Sequence, residues 1–478
     1  MRGAILRGRS RRGDMSSCAY RNDVPGWPVA AAAVAMIPGI LVLRPAPPMP
    51  ELGPSPLIAG DTHLSVADAR SAIAAAIRPI TRTQTVPLMQ ALGRVLAADV
   101  ISPIDVPAHD NSAMDGYALH GADLPAAGSV RLRVVGTVHA GDVPTLQAQA
   151  GECVRIMTGA VMPAGLDSVV PQELCRRTTD GEHAVIEIDA GVLRPGENRR
   201  FRGEDLAQGR PAVQAGRVLR PADIGLIASL GVAEVTVFRR LRVAVFSTGN
   251  ELRDLGEPLP AGCIHDSNRY SLMSALQRLG VEVIDLGLVR DDPAALEATL
   301  HQAVAQADAV ITSGGVSVGD ADYTRGLLAR LGEVAFWKVA MRPGRPFAFG
   351  PLRRDGATDP APSWLFALPG NPVASLVTYY AFVREALLTL GGASAEPLPV
   401  LQARCATAIR KRPGRTEFQR GRVHRDADGG WSVRLTGSQG AGILRSMCEA
   451  NALVVLGHEQ GPVAAGDRVD VWLFDGLV

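Results

Sequence analysis

The residues best placed to do chemistry lie in Ala307–Tyr323, ADAVITSGGVSVGDADY. An apolar run, Ala309–Ile311, enters a glycine-rich turn, Gly314-Gly315-Val316-Ser317-Val318-Gly319, and two carboxylates follow, Asp320 and Asp322. A helical pattern through Leu327, Leu328 and Leu331 comes next and is closed by Gly332. Strand, glycine turn, acid and helix in that order build a pocket for an anion and its metal. Glycine lets the backbone approach a ligand, the first turn of a helix points N–H groups at it, and a carboxylate can hold a divalent cation that bridges phosphate oxygens. No Lys-Ser/Thr closes the turn, so it is not a P-loop, and its spacing is not that of a dinucleotide fingerprint.

Other loops carry similar residues, each after an apolar run. Phe246 leads into Ser247-Thr248-Gly249-Asn250-Glu251, and Leu286 into Arg290-Asp291-Asp292-Pro293. Trp337-Lys338 leads into Arg342-Pro343-Gly344-Arg345-Pro346, and Leu368 into Pro369-Gly370-Asn371-Pro372. The acids and bases are Glu251, Asp291, Asp320, Asp322, Lys338, Arg342 and Arg345. Carboxylates beside cations around a glycine turn suit a phosphorylated or oxyanionic substrate with Mg²⁺. Some of these residues also have plain structural uses. Asp292-Pro293 reads as an N-cap with proline at the first helical position, which leaves Asp291 as the functional acid of the pair. Asp320 or Asp322 either caps the next helix or binds the ligand. Pro369 and Pro372 fix a turn before a helix and so shape the cleft. His109 has no partner at metal-ligand spacing and reads as an ordinary loop histidine.

The basic residues are skewed: of 49 Lys plus Arg, only Lys338 and Lys411 are lysine. A lysine in so arginine-rich a chain is a candidate for a task that needs a compact point charge with rotatable donors. Lys338 lies inside the apolar strand pattern Val334–Ala340, whereas Lys411, in Arg410-Lys411-Arg412, reads as part of a solvated basic run.

The elements that position these residues change character along the chain. Residues 62–98 follow helical periods, through Val66, Ala69, Ile73, Ala76 and Ile77 and again through Leu88, Leu92, Val95 and Leu96. Residues 101–202 alternate short Val/Ile runs with Gly and Pro, a β-rich pattern, and 203–240 return to mixed short elements. From Leu241 strands alternate with helices. The strands are Arg242–Phe246, Glu282–Leu286, Ala309–Thr312, Val334–Ala340 and Trp364–Leu368, with helices at Ser267–Leu279, Pro293–Ala305, Tyr323–Leu331 and Val373–Leu390. This predicts a doubly wound parallel sheet with its ligands beyond the carboxyl ends of the strands. Residues 396–478 predict a small β domain from Trp431–Leu435, Ala452–Leu456 and Arg468–Leu473. The expected fold is thus α/β multidomain: a linker domain (61–100 with 203–240), a β-rich domain (101–202), an α/β domain (241–395) and a C-terminal β domain (396–478).

The chain has 478 residues, 47% of them apolar and 20% charged, which predicts packed globular domains. A net charge of +1 argues against general nucleic-acid binding. The six cysteines form no CxxC pair, so neither a zinc site nor a disulfide framework is expected, and a reducing cytoplasm is the simplest setting. At the N-terminus, arginines precede an apolar stretch, Trp27–Leu43, that Pro28, Pro38 and Gly39 interrupt. It is short for a membrane span, and Pro45, Pro47, Pro48 and Pro50 follow as an extended linker. Residues 1–60 are expected to be a disordered extension or to precede the true start, with Met49 a candidate.

Taken together the motifs resemble the MoeA-type molybdopterin molybdotransferases, which are related to the C-terminal half of gephyrin. They are DNSAMDGYA (110–118), RIMTGA (155–160), RGED (202–205), STGNEL (247–252), IHDSNR (264–269), RDD (290–292), SGGVSVGDADY (313–323), RPGRPFAFG (342–350), LPGNP (368–372), EFQRG (417–421) and TGSQGAGILRSM (436–447). The resemblance runs from about residue 62 to 478. It implies an enzyme that inserts molybdate into adenylylated molybdopterin and releases AMP. It also implies a homodimer in which the α/β domain of one subunit and the β-rich domain of the other form the cleft. Carried over position by position, the catalytic residues are Asp110, Thr158, Glu251, Asp291, Asp322 and Lys338. Those on the substrate are Ser313, Gly314, Gly315, Ser317, Gly319, Arg342, Arg345, Pro369 and Pro372. Mg²⁺ is expected on Glu251, Asp291 or Asp322. The family often has lysines where this chain has Arg342 and Arg345, which keeps the charge and changes the donor geometry. Contacts with a molybdopterin adenylyltransferase and with molybdoenzymes are further expectations. The α/β module also resembles molybdopterin adenylyltransferases, and a gephyrin-like scaffold is the non-enzymatic alternative.

Overall fold

The computed structural model describes residues 62–315, 326–328, 330–354, 361–394 and 398–474. Its largest sheet has seven strands in the order Thr62–Leu64, Ala335–Val339, Pro346–Leu352, Ser363–Leu368, Ala309–Ser313, Arg242–Thr248, Glu282–Val289. Pairs are parallel except where Pro346–Leu352 runs against both of its neighbours. Alternation along each strand divides the apolar residues between two cores. Val243, Val245, Ile311 and Phe366 face helices Val66–Ala76, Asn268–Arg278 and Pro372–Leu390. Ala244, Phe246, Val310 and Leu365 face Pro293–Gln306 and residues Leu327 and Leu328. The expected doubly wound α/β architecture is therefore present, with one reversed strand that the sequence reading did not assign. Pro346–Leu352 follows a proline-rich turn, and its Phe347 and Phe349 pack with Trp337, Trp364 and Phe366 in a cluster of rings 5.3–5.8 Å apart.

Residues 62–77 differ from their expected grouping with the linker domain. Thr62–Leu64 pairs with Trp337–Val339, and the stripe Val66, Ala69, Ile73 and Ile77 packs into the core of the α/β sheet. A helical period reports which face is buried but not which sheet buries it. The second helix expected before residue 98 is instead a strand, Thr83–Pro87, and one tight turn, Leu88–Ala91. The strand is held in a ladder with Glu234–Phe238, and Gly93, at φ +71°, ends the turn.

The β-rich domain is a six-stranded sheet in the order Ser168–Pro171, Gly116–Leu119, Glu152–Ile156, Ser129–Val138, His183–Asp189, Arg176–Asp180, with one small core on each face. In the C-terminal domain, Thr416–Arg425, Trp431–Leu435, Leu401–Cys405, Arg468–Leu473 and Ala452–Leu456 pair in turn, and the last pairs with the first, so the sheet closes into a barrel. Met341–Arg342 adds to this barrel in parallel with Thr416–Glu417 and so ties it to the α/β domain.

Helix Pro372–Leu390 is long and apolar enough to cross a membrane, but 72% of its apolar window is buried inside the protein, as a core helix requires. Lys411 corrects the reading of its segment as solvated. Its side chain is 3% exposed, and its ammonium donates to the carbonyls of Arg412 (2.9 Å), Gln460 (3.1 Å) and His458 (3.5 Å). The neighbouring arginines masked a buried charge whose task is to satisfy carbonyl oxygens.

Candidate active site

The parallel strands Arg242–Thr248, Glu282–Val289, Ala309–Ser313 and Ser363–Leu368 end at one edge of the sheet, and their loops surround a cleft of about 1390 Å³. Of the sequence-derived site residues, Glu251, Asp291, Gly314, Gly315, Arg342, Arg345, Pro369 and Pro372 all line it. Ser317, Gly319, Asp320 and Asp322 lie outside the described residues.

Hydrogen bonds tie these loops to one another. Asn250 links the two acidic loops: its N–H donates to the Asp291 carboxylate at 3.2 Å, and its Oδ1 accepts the Asp291 N–H at 3.3 Å. Asp292 caps its helix as expected, accepting the Ala295 N–H at 2.8 Å, which leaves the exposed Asp291 to the cleft. Gly314 donates to the Leu368 carbonyl at 3.0 Å. At φ +96° a side chain there would be strained, and a Cβ would stand 2.5 Å from the Thr248 carbonyl oxygen. Gly344, at φ +105°, packs so closely on helix Pro372–Leu390 that a Cβ would meet the Thr378 hydroxyl at 2.5 Å. This presses the Arg342–Arg345 loop onto the helix while both arginines stay exposed on the cleft. The Arg342–Pro343 peptide is cis.

Three helices begin at the cleft, at Asn268, Pro293 and Pro372, so the positive ends of their dipoles face it. Arg290, Arg342, Arg345 and Arg415 add full positive charge beside Glu251 and Asp291. The site is therefore built for a polyanion and retains oxygen ligands for a hard cation. Among the described residues, no three carboxylates, imidazoles or thiols group as a metal cage. Two carboxylates on linked loops nonetheless fit Mg²⁺, which keeps several waters and takes one or two carboxylates plus substrate phosphates.

Four of the expected residues do not line the cleft. Lys338 is half-buried and does not line the cleft; it sits one strand over, opposite Pro346. Ser313 is buried behind the glycine turn and accepts a hydrogen bond from Asn268. Asp110 and Thr158 lie together in the β-rich domain, where Met162 donates to the Asp110 carbonyl and Gly159 to that of Ser112, and neither lines this cleft. The Asp110 carboxylate accepts the Arg202 N–H at 2.8 Å and pairs with Arg199, which hold its pKa below the usual carboxylate range. Asp115 does the same work for Thr158, accepting its N–H and its hydroxyl at 2.7 Å each, and its pKa is lowered by those bonds.

The sequence reading assigned no role to several residues that build the walls. Asp266 and Asn268 line the cleft from the start of helix Asn268–Arg278. Buried Asp266 accepts from Ser247 and from the backbone of Asn268 and Arg269, and the Arg269 guanidinium pairs with it and with Asp254 and Asp285. From the barrel, Arg415 and the loop Gln439–Gly442 complete the opposite wall, and the Ala441 carbonyl accepts the Val373 N–H at 3.0 Å. Behind that loop, buried Arg420 donates to Ser446 at 3.0 Å and to the Gly440 carbonyl at 3.1 Å. Burial, with the charge of Arg342 second, pushes its pKa down to about 10. The available signals were an Asp-Ser-Asn before a helical pattern and a glycine run in a β domain, and both are as common in structural turns.

Comparison with known proteins agrees with this architecture. Residues 64–231 match the model of the MoeA N-terminal region (domain I and II), 244–389 that of a probable molybdopterin binding domain, and 402–474 that of the MoeA C-terminal region (domain IV). A molybdopterin molybdenumtransferase of Haemophilus influenzae is 41% identical over 416 residues, covering 87% of this chain and all of the relative. The chain belongs to the MoeA family. A Nostoc molybdopterin molybdenumtransferase is 39% identical, over 81% of this chain and 88% of its own. Among solved structures, the MoeA protein of Pyrococcus horikoshii OT3 superposes with a TM-score of 0.70 at 27% identity, covering 86% of this chain and 100% of its own. The cleft of this MoeA chain thus lies between the segment matched as a molybdopterin binding domain and the segment matched as domain IV.

Proposed function

We propose that this cleft is where the chain, a molybdopterin molybdotransferase, inserts molybdate into adenylylated molybdopterin and releases AMP. The observation that carries the reading is the joining of a glycine turn, Glu251 and Asp291, and the arginines 342, 345 and 415 around one opening at the carboxyl edge of the sheet. The backbone of Gly314–Gly315 approaches a phosphate without a side chain in the way. Arg342 and Arg345 neutralise the oxyanion and the charge that develops on the phosphate as AMP leaves. Glu251 and Asp291 would hold Mg²⁺, with Asp322 as a third candidate; when bound, the ion neutralises the phosphate linkage that is cleaved.

Asp110 and Thr158 belong to the same reading through a homodimer, in which the β-rich domain of a second subunit supplies them. Their support is geometric: both are fixed by neighbours in the β-rich domain and neither faces the cleft of its own chain. The test incubates purified protein with adenylylated molybdopterin, Mg²⁺ and molybdate and follows AMP. Molybdate-dependent AMP release with formation of active cofactor is expected. AMP transfer from ATP to molybdopterin without that release would move the activity to the adenylylation step, and neither activity in a folded protein would favour a scaffold.

A further inference from the structure

Asn268 is a largely buried polar group on the cleft wall whose hydrogen bonding is left incomplete. Its side chain is 9% exposed. Its amide nitrogen donates to Ser313 Oγ at 2.7 Å and to the Gly370 carbonyl at 2.7 Å, so both of its protons are engaged. A carbonyl can only accept, so the contact with Gly370 fixes which end of the carboxamide is nitrogen. The backbone on either side is equally fixed, because the Asn268 N–H donates to Asp266 at 3.1 Å. What remains is Oδ1. Among the described residues it accepts no hydrogen bond, and Asn268 belongs to the lining of the cleft. The side chain therefore presents one oriented acceptor, and no donor, beside the glycine turn and the Pro369–Pro372 loop.

A phosphate or a molybdate would not satisfy that oxygen, because each brings further acceptors. A ring N–H or an exocyclic amino group of a nitrogen heterocycle would. We propose that Asn268 Oδ1 is a substrate-reading acceptor that takes an N–H from the heterocycle of the bound nucleotide or pterin, while the amide nitrogen locks the two loops on which that heterocycle rests. This rests on the pterin-nucleotide reading of the cleft given above. A site that hydrogen-bonds a ligand N–H disfavours an analogue lacking it, because the acceptor is then covered by the bound ligand and left unpaired.

Two ligand pairs separate the two sources of such an N–H. AMP and purine riboside 5′-monophosphate differ in the 6-amino group, and pterin-6-carboxylate and its N3-methyl derivative differ in the ring N–H. Dissociation constants for all four are measured by calorimetry on the full chain and on Asn268→Ala and Asn268→Leu, each checked for a cooperative thermal transition. Two variants of different size keep the test usable if one of them folds poorly. In the unsubstituted protein the N–H-bearing member of one pair is expected to bind about tenfold more tightly. In the variants the two members should bind alike, and the pair affected identifies the heterocycle. A loss of affinity that leaves the tenfold preference intact would reduce Asn268 to a loop staple and overturn the proposal. So would the absence of any preference in the unsubstituted protein. If that protein bound neither AMP nor the pterin, the pterin-nucleotide reading itself would fall with it.

Discussion

Lys411→Met isolates the buried ammonium with little change of shape. The variant loses two close charged hydrogen bonds, to the carbonyls of Arg412 at 2.9 Å and Gln460 at 3.1 Å, and a longer one to His458 at 3.5 Å. Bonds to a charged group contribute roughly 1.5–3 kcal/mol each, so the two close ones amount to about 3 kcal/mol at the low end. Removing a charge that is costly to bury returns part of this, about 1 kcal/mol. The expected net loss is about 2 kcal/mol, or roughly thirtyfold in a local opening equilibrium. The readout is hydrogen exchange at Ile409 and Val463, whose amides bond to each other's carbonyls at 2.8 and 3.0 Å beside the cage. Lys411→Arg should fare no better, since a planar fork cannot direct donors at three carbonyls arranged around a point. Exchange altered less than about threefold by Lys411→Met would refute the reasoning and mean that water satisfies those carbonyls.

Asp291→Asn and Glu251→Gln should each lower Mg²⁺-dependent AMP release by about a hundredfold or more while leaving the thermal midpoint unchanged, as both acids are exposed on the cleft. Gly314→Ala should destabilise the α/β domain by about 2 kcal/mol in urea unfolding and weaken nucleotide binding, because the added Cβ meets the Thr248 carbonyl at a positive φ. Asp308 gives a pH dependence. Burial opposes its charge, but the Arg239 guanidinium and the Arg242 N–H outweigh burial and hold its pKa below 3.8. Its contribution is therefore complete above the unfolded carboxylate value and lost as pH falls through the lower folded one. Asp308→Asn should flatten that acid limb of the unfolding profile.

What could be read from the sequence depended on how local the signal was. The glycine turn, the Asp292 cap and the strands before each loop are written in adjacent residues, and the structure places Glu251, Asp291, Arg342 and Arg345 around one opening as that pattern implies. Strand Thr62–Leu64 joins its sheet through partners far along the chain, and Pro346–Leu352 reverses direction after a cis-proline turn, so neither had a local mark. Lys411 was misread because its partners are backbone carbonyls, which leave no trace in side-chain chemistry. Asn268 was passed over for the opposite reason: an asparagine at the start of a helix has an ordinary structural use. Its link to Gly370 spans about a hundred residues of chain.

The short ladder between Met341–Arg342 and Thr416–Glu417 has a mechanical consequence. Arg342 is fastened to the barrel by its backbone, while Gly314 and Asp291 are fastened to the sheet. The seam is backed by a shared core, because Phe418, Met447, Leu453 and Trp472 of the barrel pack with Trp337, Tyr379 and Phe382 of the α/β domain, and the Ala441 carbonyl accepts the Val373 N–H. The barrel and the sheet therefore hold the cationic and the acidic halves of the cleft at a set separation. A ligand is gauged by whether its own charges match that spacing.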